Sequence, residues 1–514
     1  MKSPPQELPD SSEVSSGERH GADDAAPSPS RWWRIWLPLI IAAVAFACRL
    51  VPVLRGAGIS NQDYDPAVYY SAAVGLFSGL TPYHDFLLLH PPGILIALAP
   101  IAAIGAIVGD PAGMAMARVM FMLLGSVSTV LIYRILLPQH RYAALVGAGI
   151  YAVWLPAIVS EQNIRLEGLA TFLVLAGILA ISRHGKASSW LRPAIAGALF
   201  GLAAAVKIWG VAPIVVLIVW LAWRNGLRPA LSSLAGAAVA IGVVTLPFLI
   251  VAPQMWNLVV VDQLGRSRST QPVAVRFADT LGLGLLPRLV AIVPLILICA
   301  LTAVALYLAW RSTLGQLSVL LVVVTSITLL ASPTWFAHYA AFAAGPLCLV
   351  YGTAAGQATT RALNTARRRS GAIAGAAATL CALAAVMAMN QEGVPIPGSF
   401  LASALANRPG CVTTDNPATL IYSDTLRRNI KSGCPLVVDL GGYVYDIARQ
   451  DGIHTDRAGN PDYQRFAMKY LRSGTSTIMI RFGTGDLTST NAAVIRSWPI
   501  ITKSGSVAVR RPTG

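Results

Sequence analysis

Long apolar segments recur along the chain near residues 35–54, 93–109, 114–137, 142–159, 166–182, 193–206, 208–223, 229–252, 285–310, 315–332, 338–355 and 370–389. Several approach the roughly 20 residues that a helix needs to cross a bilayer. Backbone in lipid must satisfy its own hydrogen bonds, so these segments are expected to be helices. The expected class is an α-helical polytopic membrane protein with about 11–13 transmembrane helices. Hydrophobic residues are 55% of the chain and charged residues 12%, and mean hydropathy is +0.61; no soluble domain has that balance. The net charge of +16 is not a nucleic-acid signal. Much of it sits in short clusters beside apolar segments (Arg31/Arg34, Arg183/Lys186/Arg192, Arg361/Arg367/Arg368/Arg369), where it sets orientation in a membrane.

Residues 1–30 are polar, rich in Ser and Pro and free of aromatics, and read as a disordered cytoplasmic tail. The first apolar run has no clear cleavage site and is expected to stay as an anchor. The transmembrane region spans 31–390. After Asn390 the apolar character drops. Residues 391–514 alternate β-like runs (Pro435–Leu440, Thr477–Arg481, Ser506–Arg510) with helical stretches (Tyr463–Leu471, Asn491–Trp498), the pattern of a small α/β domain. Of the six cysteines, Cys48, Cys299, Cys348 and Cys381 lie singly in apolar segments and read as small buried residues. Cys411 and Cys434 lie in the polar region and can form a disulfide if it faces an oxidising compartment.

Placing Arg134–Arg141, Arg183–Arg192, Trp223–Arg228, Arg311 and Arg361–Arg369 in the cytoplasm puts 160–167, 253–284, 332–338 and the C-terminal domain outside. Two apolar segments separate loop 55–92 from Arg134. If that loop is also outside, either 93–109 is re-entrant or one basic cluster lies on the unexpected side.

The stretch Ile59–Gly93, ISNQDYDPAVYYSAAVGLFSGLTPYHDFLLLHPPG, gathers Asp63, Asp65, His84, Asp85 and His90 in a chain poor in charge. Val68, Ala72, Leu76 and Phe77 can share one helix face, which predicts a short helix on the membrane surface with Asp65 at its N-terminus. His90-Pro91-Pro92-Gly93 then breaks the chain. An Asp in an aromatic helix, then Pro-Tyr-x-Asp-Phe, then His before Pro-Pro resembles the first external loop of GT-C glycosyltransferases. The branch holding protein O-mannosyltransferases and the lipid A aminoarabinose transferase is the nearest. The resemblance implies a GT-C-like fold, a plasma-membrane enzyme with its site and C-terminal domain extracytoplasmic, and transfer of a sugar, mannose or arabinose, from a polyprenyl-phosphate carrier to a glycan, lipid or protein acceptor of the cell envelope. It implies Asp65 as catalytic base, with Asp63 as the alternative. Many members carry Glu after this Asp; here the position is Pro66, so any metal or phosphate role of that Glu is not supplied.

The implied reaction needs a carboxylate to take the acceptor proton and positive charge to meet the leaving phosphate. Asp65 reads either as that base or as a helix cap. Tyr69 can line a sugar site or anchor the helix at an interface. His84, Asp85 and His90 can bind a phosphate or a divalent metal, though their spacing is not a recognised ligand pattern, and no cofactor is certain. Arg49, Arg118, Arg165, Glu167 and Lys207 lie in or beside apolar runs, where charge must be paired or face water. The resemblance puts Arg165-Leu166-Glu167 and the Gly201-to-Lys207 segment near the site; a structural Glu167–Lys207 ion pair explains the same residues. In 253–284, Arg266 and Arg268 suit a lipid phosphate or anionic headgroups. His338 and Tyr339, in Trp335-Phe336-Ala337-His338-Tyr339, resemble a family segment at the outer end of a late span. The rival classes are a transporter or flippase of lipid-linked glycans, or a non-catalytic scaffold of the same fold. The chain has no matched halves of the transporter kind and no G-x-x-x-x-G-K-[ST].

Overall fold

Arg134, Arg141, Arg224 and Arg311 stand at helix ends or in the short turns between helices and mark the basic end of the bundle. The computed structural model describes residues 31–57, 64–182, 190–266, 271–284, 288–362, 395–452, 456–481, 485–505 and 507–513. The N-terminal tail, Asp63, Arg268, Cys381, Arg367–Arg369 and the apolar segment 370–389 lie outside the described residues.

Among the described residues, seven helices are long and apolar enough to cross a membrane. Helices α1 (Leu37–Pro52) and α4 (Asp110–Leu136) meet at the basic end: Tyr133 Oη donates to the Trp33 carbonyl at 2.6 Å and Arg134 Nη2 to that of Arg34 at 2.9 Å. Helices α5 (Arg141–Val153) and α6 (Leu155–Glu161) make an eighth span as a pair bent by 55°. The bend falls where Pro156 removes a helical N–H. Helices α7 (Leu166–Ser182) and α8 (Leu191–Val206) are shorter apolar helices. The bundle continues with α9 (Val211–Asn225) and α10 (Leu227–Val251), then two short loop helices, α11 (Asp262–Leu264) and α12 (Val273–Thr280). Among the described residues it ends with α13 (Arg288–Ala309), α14 (Thr313–Ala331) and α15 (Ala341–Ala362). Arg224 at the end of α9 reaches Thr313 at 3.3 Å, and Trp223 stacks on Trp310, so these turns share the basic end. Cys48 and Cys348 are buried as expected, whereas Cys299 is exposed on α13.

The loop helix α2 (Tyr64–Phe77) departs from its expected form. It is not a one-faced surface helix, because every residue from Pro66 to Gly75 is buried. One side packs on α3 (Gly93–Val108), the other on the C-terminal unit, where Leu436 leaves no room for a Cβ at Gly75 (2.6 Å). Both ends of α3 also touch that unit. Leu89, just before it, lies 3.0 Å from where a Cβ on Gly442 would stand, and Arg427 Nη2 donates to the Ala102 carbonyl at 2.5 Å. At the turn into α4, the Asp110 N–H donates to Asp424 at 2.9 Å and Arg427 Nε to Asp110 at 2.8 Å. Helix α3 therefore runs along one face of the bundle. Among the described residues, the start of α2 and the Asp110 end of α4 therefore lie on the same side of the bundle, the one that the C-terminal unit covers.

The C-terminal unit carries a four-stranded sheet of β1 (Val412–Thr414), β2 (Ser476–Met479), β3 (Ile500–Ser504) and β4 (Val507–Arg510), in the order β1-β2-β4-β3. The β1–β2 pair is parallel and the others antiparallel. Helices Pro461–Arg472 and Ser489–Ser497 occupy the two expected helical stretches. The expected strand Pro435–Leu440 is irregular instead. Val437 and Leu440 are buried in the unit's own core with Val444 and Tyr463, while Leu436 reaches α2 at Gly75, so the segment is covered on both sides without pairing in a sheet.

A disulfide joins Cys411 to Cys434, with Cα atoms 5.6 Å apart, tying the start of β1 to the end of helix Leu426–Lys431. Cys411→Ser/Cys434→Ser is expected to lower the stability of this unit by about 3 kcal/mol, read as thermal unfolding in detergent. Reduction of the native protein should give the same shift, and an unchanged transition in both would show that the bridge contributes nothing.

Candidate active site

Three side-chain groups meet at the end of the bundle that the C-terminal unit covers. The first starts at the N-terminus of α2, whose second residue is Asp65. Its carboxylate pairs with Arg165, which precedes α7, and stands 3.8 Å from His338 Nε2. Arg165 is largely buried, while the Asp65 side chain is 37% exposed, so a substrate can reach it.

The second group lies beneath. Lys207 follows α8, where the chain leaves the helix for extended backbone and turns at once into Ile208–Gly210. Gly210 makes that turn possible, since a Cβ there would meet the Ala204 backbone at 2.5 Å. The turn aims the Lys207 ammonium at Glu167 in the first turn of α7; both are almost fully buried. The ammonium also lies 3.8 Å from the Trp209 ring centroid and 4.0 Å from that of Tyr339. Such desolvated cation–π contacts are worth about 2 kcal/mol. Glu167→Gln and Lys207→Met are each expected to destabilise by about 3–5 kcal/mol, because each leaves one buried charge. The double variant should regain part of that stability but not turnover if the ammonium faces a substrate. Strictly additive losses in thermal unfolding would refute the pairing.

The third group is Tyr69, His90 and Arg266. Tyr69 meets His90 edge-on at 5.6 Å. Burial, and then the positive charges of Arg266 and Lys207, hold the His90 imidazole well below its ordinary pKa, so it is neutral. Burial first, then the carboxylates of Asp65 and Glu167, hold the Tyr69 phenol well above its ordinary pKa, so it remains an O–H donor. Arg266 packs 4.8 Å from the ring of Tyr445, a residue of the C-terminal unit, and its buried Nε has no hydrogen-bond partner. That orphan donor fits an anionic oxygen.

His84 and Asp85 stand apart. They pair with each other at 2.7 Å on the surface, and Asp85 accepts the Thr81 N–H at 2.6 Å. With His90 buried elsewhere, the three do not form a metal site. Among the described residues no group of three or more His, Cys, Asp or Glu is placed to hold a metal ion.

The intramembrane charges Arg49 and Arg118 find partners, Glu161 and Asn163, that sequence reading passes over. Arg49 pairs with Glu161 at the end of α6, and both side chains are fully buried. Arg118 Nε donates to Asn163 at 3.2 Å. Asp262, at the start of α11, pairs with Arg449 of the C-terminal unit at 2.8 Å. Trp209 and Tyr64 carry no signal beyond an aromatic near an apolar segment.

Residues 88–333 match the model of Glycosyltransferase family 87. Among solved structures, ArnT from Cupriavidus metallidurans bound to undecaprenyl phosphate superposes with a TM-score of 0.59 at 14% identity, covering 94% of this chain and 98% of that one. The same protein in the apo state gives 0.60 at 14% identity, covering 93% and 97%. This is a GT-C fold. A second GT-C structure, the oligosaccharyltransferase AglB from Archaeoglobus fulgidus with an inhibitory peptide and a dolichol-phosphate, gives 0.55 at 13% identity, covering 88% of this chain and 70% of that one. No curated protein matches in sequence. The GT-C superposition takes in the C-terminal unit as well as the bundle, since nearly the whole of both chains is covered.

Proposed function

We propose that this GT-C protein transfers a sugar from a polyprenyl-phosphate carrier to a cell-envelope acceptor on the extracytoplasmic side of the plasma membrane. The observation that carries this reading is one accessible carboxylate, Asp65, set at the covered end of the bundle beside the buried Lys207 and the partly buried Arg165 and Arg266. The acceptor hydroxyl attacks the anomeric carbon as Asp65 takes its proton. The bond from that carbon to the phosphate oxygen breaks, and its electron pair stays on the phosphate. Charge grows there in the transition state, where fixed cations in a dry site act most strongly. An entering donor phosphate competes with Asp65 for Arg165 and so releases the carboxylate for proton transfer. His338 and Tyr339 complete the wall beside it.

The basic end supplies the orientation. With those turns in the cytoplasm, Asp65 and the disulfide-bonded unit face an oxidising side, where a disulfide persists. The test incubates membranes holding the protein with radiolabelled polyprenyl-phosphate mannose and polyprenyl-phosphate arabinose. Transfer of label from one of them to an envelope fraction is the expected result. No transfer from any polyprenyl-phosphate sugar, with the protein folded and its disulfide formed, would overturn the reading.

A further inference from the structure

The helix that carries Asp65 begins at Tyr64, and the grip on its first residue comes from the far end of the chain. Tyr64 Oη donates to Asp439 Oδ1 at 2.7 Å and accepts the Gly441 N–H at 3.0 Å, while the Arg481 guanidinium lies 4.0 Å from its ring centroid. These partners are themselves fixed. Asp439 Oδ1 also accepts the Gly442 N–H at 2.8 Å, closing the 439–442 turn. Arg457 Nε donates to the Gly441 carbonyl at 3.1 Å and packs so closely that a Cβ on Gly441 would stand 2.8 Å from it. Asp486 joins Arg457 to Arg481, the latter at 3.2 Å. The contacts form a closed ring around one tyrosine.

Successive residues of a helix point about 100° apart. With the Tyr64 side chain held in the C-terminal unit, the rotation and height of the first turn of α2 are set, and Asp65 is delivered to Arg165 and His338. We propose that Tyr64 and Asp439 are positioning residues for the transfer reaction: the C-terminal unit clamps the first turn of α2 and thereby sets the catalytic carboxylate. The inference rests on the function proposed above. Neither side chain touches the reacting atoms, so the clamp acts on geometry, and displacement of a reacting group by about 1 Å can cost about 100-fold in rate.

The experiment measures steady-state kinetics of the purified full chain with the labelled polyprenyl-phosphate donor for Tyr64→Phe, Asp439→Ala, Asp439→Asn and Tyr64→Phe/Asp439→Ala. Tyr64→Phe keeps the ring and removes only the hydroxyl. It and Asp439→Ala are expected to lower kcat by about 10- to 100-fold with the donor KM unchanged. The double variant should be no worse than the poorer single, because both break one contact. Asp439→Asn keeps an oxygen for both donors and should restore most of the turnover. Wild-type kcat in Tyr64→Phe, or losses that multiply in the double variant, would overturn the proposal; so would a rise in KM alone. Thermal unfolding and disulfide content separate a displaced helix from a misfolded chain. If the wild-type chain transfers no sugar at all, the functional reading fails by itself. The clamp is then read by hydrogen exchange across 65–72, where unchanged protection in Tyr64→Phe would overturn it.

Discussion

Asp65→Asn is expected to lose turnover by about 100- to 10,000-fold, the range over which a positioned acid or base contributes, with donor affinity nearly intact. The substitution is isosteric and removes proton acceptance. It also removes the ion pair to Arg165, but the partial exposure of Asp65 keeps the structural cost within about 1 kcal/mol. A kinetic loss without a matching drop in unfolding temperature is therefore the signature of a base. Asp63→Asn is the control, two residues upstream. If Asp63→Asn were inactive and Asp65→Asn active, the base would be Asp63.

The second large effect is expected deep in the bundle. Arg49 donates through Nε (2.8 Å) and Nη2 (2.5 Å) to one oxygen of Glu161, and through Nη1 to the carbonyls of Ala45 (2.8 Å) and Ala152 (3.1 Å). Tyr151 Oη donates to the other Glu161 oxygen at 2.6 Å. Gly125 faces both partners and has no space for a Cβ. Arg49→Met strands a carboxylate among apolar neighbours and should cost about 3–5 kcal/mol; Glu161→Gln should cost about the same. The combined Arg49→Met/Glu161→Gln variant, with no ion to desolvate, should recover more than half of the loss in thermal unfolding. Full additivity would mean that the pair carries no coupling. Turnover should follow stability here, because the pair lies outside the three groups around Asp65.

Apolar runs made the bundle readable from sequence, because a span announces itself by composition over some twenty residues. Arg49 was readable as a charge needing a partner, yet Glu161 was not readable as that partner. It follows a break at Pro156, and nothing in the local pattern points across 112 residues. Glu167 and Lys207 were readable as a pair because opposite charges beside apolar runs need partners, although a helix end and an extended residue share no periodicity. Helix α2 looked amphipathic because half of its cover comes from the C-terminal unit, whose packing leaves no trace near residue 70. The same interface made Pro435–Leu440 look like a strand: burial on both sides imitates the pattern of a sheet. Asp65 stood out by its place at a helix start and by the family resemblance, but its setting is built from residues at 165 and 338.

Tyr64 and Asp439 are separated by 375 residues, so the ribosome makes the first long before the second. At about 5–20 residues per second, the interval is roughly 20–75 s. Throughout it, the helix bearing Asp65 exists without the unit that grips it, while the spans between are being inserted. If the proposed clamp holds, a nascent chain carries an unset carboxylate until the C-terminal unit is made, and synthesis of that unit is the step that would make it competent.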